Sequence, residues 1–220
     1  MVKITKKSKK VVLKNNKNTN KIKAIIFDVN GVLMLGRGKD VHEYMAQKLK
    51  SNIERWFDTI EPYWSEIVKD ESKTLSFLTN VTQEYQIPES KIGKLLRKAF
   101  KKRFKKNRKL IKIIKKLNKK GYKTAIFSDQ TSFSYDAFKK YNLDSIVDIT
   151  LWSQKEGLRK PDMKFYKLLI KRLKLPAKNC LFVDNHDWNL IPAKKLGIKT
   201  ILFEDNKQTI NDLKSLGVKW

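Results

Sequence analysis

An apolar run of strand length, Ala24-Ile25-Ile26-Phe27, delivers one carboxylate, Asp28, and the chain turns at Gly31 soon after. A run apolar at every position suits a strand covered on both faces, as in an open α/β sheet, and such sheets place their chemistry at the carboxyl ends of the strands. The pattern recurs. Thr124-Ala125-Ile126-Phe127 closes on Ser128-Asp129, Cys180-Leu181-Phe182-Val183 closes on Asp184, and residues 199–203 form a last apolar strand. A further strand is expected near residues 146–149. Between these runs lie helical signals: Leu110, Ile113, Ile114 and Leu117 on one face with Gly121 as the stop, residues 134 to about 141, a segment opened by Pro161, and one with Ala193 and Leu196 inward and stopped by Gly197. Strands alternating with helices predict an α/β fold with a Rossmann-like parallel sheet.

The alternation is interrupted once. From about 39 to 105 the apolar residues Tyr44, Leu49, Ile53, Trp56, Phe57, Ile60, Trp64 and Ile67 recur at roughly helical intervals. Pro62 is expected near a helix start or kink, and Pro88-Glu89-Ser90 at the entry to another helix. The block reads as a helical insertion between the first and second core strands. Trp56, Trp64 and Trp188 are candidates for a pocket wall, with burial between the helices of the insertion the expected place for Trp56 and Trp64.

Charge is regional. The net charge is +28, and residues 1–23 and 91–123 hold nine and seventeen basic residues respectively, with no acid in either stretch. Such runs read either as solvated faces or as an electrostatic footprint for nucleic acid or another polyanion. Phe100 and Phe104 share a helical face with Ile92 and Leu96, a spacing that places them in a core and not under stacked bases. Residues 1–22 are expected to form a mostly disordered basic tail. The single cysteine, Cys180, excludes an intramolecular disulfide. With no apolar run of bilayer length, the expectation is a cytoplasmic protein without a membrane span. The oligomeric state is not legible.

Three strands thus end in Asp28, Ser128 and Asp184, and Lys160 sits in a loop beyond a fourth, just before Pro161. In a parallel sheet these ends converge on one edge. Two carboxylates, a hydroxyl and a cation suit phosphoryl transfer. The acids hold Mg²⁺, the cation and the hydroxyl neutralise and orient the phosphoryl group, and one carboxylate attacks phosphorus.

Phe27-Asp28-Val29-Asn30-Gly31-Val32-Leu33, Ile126-Phe127-Ser128-Asp129, Gly157-Leu158-Arg159-Lys160-Pro161-Asp162 followed by Phe165-Tyr166, and Leu181-Phe182-Val183-Asp184-Asn185 with Asn189, Ala193 and Leu196-Gly197-Ile198 resemble, in order, the four motifs of the haloacid dehalogenase-like hydrolase superfamily. The resemblance covers about residues 23–215. It is nearest to the subgroup holding sugar-phosphate phosphatases and the phosphatase domain of epoxide hydrolases. It implies a catalytic core at 23–36 and 106–220, with a helical cap at 37–105. It also implies a small phosphorylated substrate. Carried over by position, Asp28 is the nucleophile and a Mg²⁺ ligand, Asn30 lends its backbone carbonyl and Asp184 its carboxylate to the metal, and Ser128 and Lys160 hold the phosphoryl group.

Two positions depart from the family pattern. Asn30 stands where most phosphatases of the superfamily carry the acid that protonates the leaving oxygen. Asparagine transfers no proton at neutral pH, and such help is typically worth about 10²–10⁴-fold. Asn185 stands where a second acid is common, and its amide oxygen still serves a metal-bound water. Asp129, beside Ser128, reads as a substrate-binding residue and displaced acid that compensates for Asn30, or as a loop carboxylate capping the next helix, and His186 as a loop residue near the site. A catalytically impaired phosphate binder, a nucleic-acid-associated protein and a halide-releasing enzyme remain as alternatives.

Overall fold

In the computed structural model, which describes residues 21–220, the first apolar run becomes β1 (Ala24–Phe27), followed by the two-residue β2 (Met34–Leu35). Four helices come next: α1 (Gly38–Lys48), α2 (Ile53–Lys69), α3 (Thr74–Tyr85) and α4 (Glu89–Arg103). The chain returns through β3 (Lys105–Lys106), α5 (Arg108–Lys119), β4 (Lys123–Ser128) and α6 (Ser132–Phe138). It ends with β5 (Ile149–Trp152), α7 (Ser153–Glu156), α8 (Met163–Leu173), β6 (Cys180–Asp184), α9 (Asp187–Lys195), β7 (Lys199–Leu202) and α10 (Asn206–Ser215).

Five parallel strands form one sheet in the order β5-β4-β1-β6-β7. The period of two along each strand divides the interior. Ile25 and Phe27 of β1, Ile126 of β4 and Leu181 and Val183 of β6 face one cluster, which holds the inner faces of α5 and α10 and extends into α1–α4. Ala24 and Ile26, Ala125 and Phe127, and Cys180 and Phe182 face a second cluster with α8 and α9. The fold is therefore α/β, a three-layer Rossmann-like sheet with an inserted α-helical cap.

Strand order reverses at β1, which has β4 on one side and β6 on the other. Phe27 is level with Ile126 and with Val183. The next residues, Asp28 and Asp184, therefore emerge side by side at the switch point, with Ser128 at the end of β4. The passage into and out of the cap is a short antiparallel pair, Met34 with Lys106 and Leu35 with Lys105. Asn107 fastens it. Its side chain accepts from Leu110 N, donates to Val32 O at 2.8 Å, and is buried. It thereby caps α5 and ties that helix to the loop after Asp28.

Several sequence expectations move. Pro62 lies inside α2 and not at its start, where the buried face of Trp56, Ile60, Ile67 and Val68 carries the helix through it. The strand expected near 146–149 begins at Ile149, because Leu143–Ile146 coil into a 3₁₀ turn and Asp148 is engaged by the Thr124 amide at 2.7 Å. Ile22 is buried in the core, so packed chain begins before residue 23. Residues 1–20 of the expected tail lie outside the described residues. α10 carries no sequence expectation, yet Asp205 caps it by accepting from the Lys207 and Gln208 amides.

Candidate active site

Lys160 is the centre of the site. Its Nζ lies 2.9 Å from Asp28 Oδ1 and 2.6 Å from Asp184 Oδ2, so one ammonium bridges the ends of β1 and β6. All three side chains are at most 5% exposed. The rings of Phe127 and Phe182 lie below, their centroids 5.7 and 5.5 Å from the ammonium. Burial works against the lysine's charge, but the carboxylates of Asp184, Asp28 and Asp129 outweigh it and hold the group well above the ordinary lysine range. Burial pushes the Asp28 carboxyl up, and the Asp184 charge adds to this, while Lys160 and the Ser128 hydroxyl pull it back.

Each acid has supporting bonds. Asp28 N donates to Val183 O at 2.9 Å, fixing the backbone between the two strands. Asp184 Oδ1 accepts from His186 N at 2.8 Å and from Asn189 Nδ2 at 3.1 Å. Tyr166 OH in turn donates to Asn189 O at 2.6 Å, so the α8 aromatic and the α9 amide together orient the β6 carboxylate. Ser128 Oγ accepts from Gln130 Nε2 at 3.1 Å and faces Val29 N at 3.4 Å.

The turn after Asp28 is shaped by close approach. Gly31 has φ of +97°, and a Cβ there would lie 2.5 Å from Asn185 Nδ2. Only glycine lets the first and fourth motifs touch in this way. Asn185 Oδ1 and Asn30 Oδ1 are buried and have no hydrogen-bond partner among the described residues. Asn30 Nδ2 donates to Asp129 O at 3.3 Å. Asp129 Oδ1 accepts from Lys160 N at 3.0 Å, and Arg159 Nε lies 3.6 Å from its Oδ2. Burial pushes the Asp129 carboxyl up to about 6 against the pull of Lys160 and Arg159.

Above these groups lies a cavity of about 430 Å³ between core and cap. Asn30, Asp129, Asn185 and His186 line it from the core, and Arg37, His42 and Trp64 from the cap. Asp129 is the one carboxylate in its wall among the described residues. The structure thus gathers Asp28, Asn30, Ser128, Asp129, Lys160, Asp184 and Asn185 at one place. Trp56 is buried as expected, but Trp64 is in the cavity wall, and Trp188 stands exposed, stacked on His186 at 4.4 Å between ring centroids.

Sequence reasoning missed the link from Ser128 to the cap. Gln130 N donates to Ser153 Oγ at 2.9 Å, and Ser153 Oγ donates to Val68 O at the end of α2 at 2.6 Å. It also missed His42, whose Nδ1 accepts from Trp56 Nε1 at 3.0 Å. A lone polar residue in a loop or on a helix carries no motif, so neither had a signal beyond its residue type.

A family model described as haloacid dehalogenase-like hydrolase matches residues 22–197. The chain belongs to this family. Curated relatives include rat bifunctional epoxide hydrolase 2, 28% identical over 115 residues, a match covering 50% of this chain and 21% of the relative. The glyceraldehyde 3-phosphate phosphatase of Pyrococcus furiosus is 27% identical over 104 residues, covering 46% of this chain and 43% of that protein. The matches thus span less than half of either relative's length. Among solved structures, a predicted HAD-like family hydrolase from Porphyromonas gingivalis superposes with a TM-score of 0.75 at 18% identity, covering 90% of this chain and 99% of that one. A HAD family enzyme from Bacteroides thetaiotaomicron, in complex with magnesium and inorganic phosphate, gives 0.73 at 17% identity, covering 86% and 98%. At such identities the structural likeness speaks for the hydrolase fold. Among the described residues no helix is long and apolar enough to cross a membrane.

Proposed function

We propose that this hydrolase is a Mg²⁺-dependent phosphatase acting on a small phosphorylated compound through a phosphoryl group carried on Asp28. The observation that carries the reading is the bridge from Lys160 to Asp28 and Asp184 at 2.9 and 2.6 Å, set under a cavity at the switch point of the sheet.

The residues fit a magnesium ion. Among the described residues no group of three or more His, Cys, Asp or Glu is placed to hold a metal. The donors are instead two carboxylates, Asp28 and Asp184, with the buried, unpartnered amide oxygen of Asn185 next in the chain, and the family resemblance adds the Asn30 backbone carbonyl. A site of one or two carboxylates completed by waters and substrate phosphate is what Mg²⁺ ordinarily takes. Bound there, it would neutralise phosphoryl oxygens and so favour attack by an anion.

The chain's own groups supply the rest. The Asp28 carboxylate attacks phosphorus, the bond from phosphorus to the leaving oxygen breaks, and that oxygen departs with the electron pair. Water then attacks phosphorus, the bond to Asp28 breaks, and orthophosphate leaves with the carboxylate restored. Lys160 and the Ser128 hydroxyl hold the non-bridging oxygens in both steps. Asn30 has no proton to give, so the site favours leaving groups that depart as stable anions, such as acyl or anomeric phosphates. The cap cavity of about 430 Å³ favours a small substrate over a folded protein.

The test is a panel of phosphomonoesters and acyl phosphates with the purified protein and Mg²⁺, beside Asp28→Asn. Turnover should fall at least about 10⁴-fold in the variant, as expected for loss of a nucleophile. Equal rates for the two proteins would overturn the proposal. Halide release from a 2-haloacid with chelator present would point to the dehalogenase alternative.

A further inference from the structure

The amino-terminal edge of the sheet, opposite the site, carries two grooves with an unusual lining. The first, about 800 Å³, is walled by Lys21, Lys23, Lys120, Lys123 and Lys219 around Tyr122. The second, about 560 Å³, lies between α5 and α10 and is walled by Lys109, Lys112, Lys116, Lys214 and Lys219 beside Trp220. Lys219 belongs to both, so the grooves adjoin.

Among the described residues no Asp or Glu lines either groove, and none of these lysines forms an ion pair. Lys123 Nζ is tied to Leu173 O at 3.1 Å. Of the acids of the α10 segment, Asp212 is engaged by the Gln208 side chain, and Asp205 accepts from the Lys207 and Gln208 amides while also feeling the charge of Lys109. Concentrated positive charge with little counter-charge is costly to the fold through self-repulsion, and it raises the local concentration of polyanions. On α5 the lysines fall at i, i+3 and i+7, a row along one face that rises about 10 Å in all. A linear array of ammonium groups suits a linear array of phosphates.

From this we infer that the two grooves form a binding track for single-stranded nucleic acid, separate from the phosphatase site. A concave, lysine-walled track follows one sugar–phosphate backbone, whereas a duplex is wider and is read by an element inserted into its own groove. Tyr122 and Trp220 place aromatic rings in the walls, and base stacking on such rings is independent of sequence. A lipid surface fits less well. The exposed large apolar residues Phe57, Leu75, Trp188, Ile191 and Leu202 line neither groove, so nothing there is placed to enter a bilayer. The sequence before Lys21 adds seven more lysines and no acid to the same end of the chain.

The test is fluorescence anisotropy of a labelled single-stranded oligonucleotide of mixed sequence with the full chain, across salt from about 50 to 200 mM. The groove variant reverses Lys112, Lys116 and Lys219 to Glu. The control reverses Lys91, Lys94 and Lys98, which are exposed on α4, carry the same charge and lie in the same basic sequence block. The groove variant should bind at least about 10-fold more weakly, with a slope of log K against log salt shallower by about 2, as three lost phosphate contacts require. The control should lose less than half of that effect. Both should keep the phosphatase rate, which reports an intact fold. Equal weakening by the two variants would reduce the binding to net charge and overturn the track. So would equal affinity for duplex, or tighter binding to phosphatidylserine vesicles than to the oligonucleotide.

Discussion

At the carboxyl edge of the sheet, Lys160 is 3% exposed and clamped by Asp28 and Asp184. At the amino edge, eight lysines besides Lys123 stand around open grooves with no Asp or Glu in the walls among the described residues. The side-chain type is the same and the physics is opposite. A buried ammonium persists only because its partners are in contact, so its value lies in holding two carboxylates in register and, under the proposed function, a phosphoryl group with them. An exposed ammonium costs little to keep, and what it offers is attraction at a distance, screened within about a Debye length. This chain's formal charge of +28 therefore says little about its chemistry until each charge is assigned a partner.

The contrast breaks most sharply at Lys160. Lys160→Met leaves Asp28 and Asp184 buried beside each other, and breaking a buried pair in this way typically costs about 3–5 kcal/mol. The melting temperature should fall by about 10 °C near neutral pH, read by circular dichroism. Because burial and Asp184 already raise Asp28, its proton returns readily once the lysine is gone. The variant's deficit should therefore shrink as pH falls and grow as pH rises. Mg²⁺ should restore part of the loss by standing in for the ammonium. At the other edge, Lys112→Met should change stability by less than about 0.5 kcal/mol. A Lys160→Met protein as stable as the parent at every pH would remove the distinction between the two edges.

The next effect is catalytic. Asn30→Asp should restore a proton donor to the leaving oxygen and speed hydrolysis of alkyl phosphates by as much as about 10²-fold. Acyl and aryl phosphates, whose leaving groups need little protonation, should gain only a few-fold. The ratio of the two rates is the readout. It separates a restored acid from a general rearrangement of the loop that Asn30 Nδ2 anchors to Asp129 O. A uniform change across substrates would show that Asn30 matters for position alone.

What the sequence made legible follows from periodicity and from contact order along strands. The runs 24–27 and 180–183 are apolar at every position and 124–127 at all but Thr124, and each became a central strand whose next polar residues reach the site. Convergence of Asp28, Ser128 and Asp184 then followed from parallel topology alone. Lys160 was legible only through its motif, since nothing in its neighbours requires an ammonium to turn inward. The cap wall was not legible. Trp56 and Trp64 share the spacing of core aromatics, and only packing decides that the first is sealed while the second borders a cavity. Gln130 and Ser153 were invisible for a similar reason. The bonds that make the link join Gln130 to Ser153 and Ser153 to a cap carbonyl, both far apart in sequence. The grooves were half visible: the charge of α5 was plain, but its meeting with Lys21, Lys214 and Lys219 depends on how the chain ends come together.

The smallest expected effect concerns a third way of treating charge, exemplified by His42 on α1. Burial lowers this imidazole from 6.5 to about 4, and its Nδ1 already accepts the indole N–H of Trp56, so it stays neutral where an exposed histidine would be charged. Between about pH 6.5 and 4 the unfolded chain takes up a proton there that the folded chain refuses, so this group withdraws stability as pH falls through that window. His42→Gln keeps an acceptor for the indole and removes the titration. The gap in melting temperature between pH 7 and 4.5 should therefore narrow in the variant by a few degrees, corresponding to at most about 2–3 kcal/mol. Parallel pH curves for the two proteins would show that His42 takes up its proton in place, and would move it from the neutral cap interior to the charged groups of the cleft.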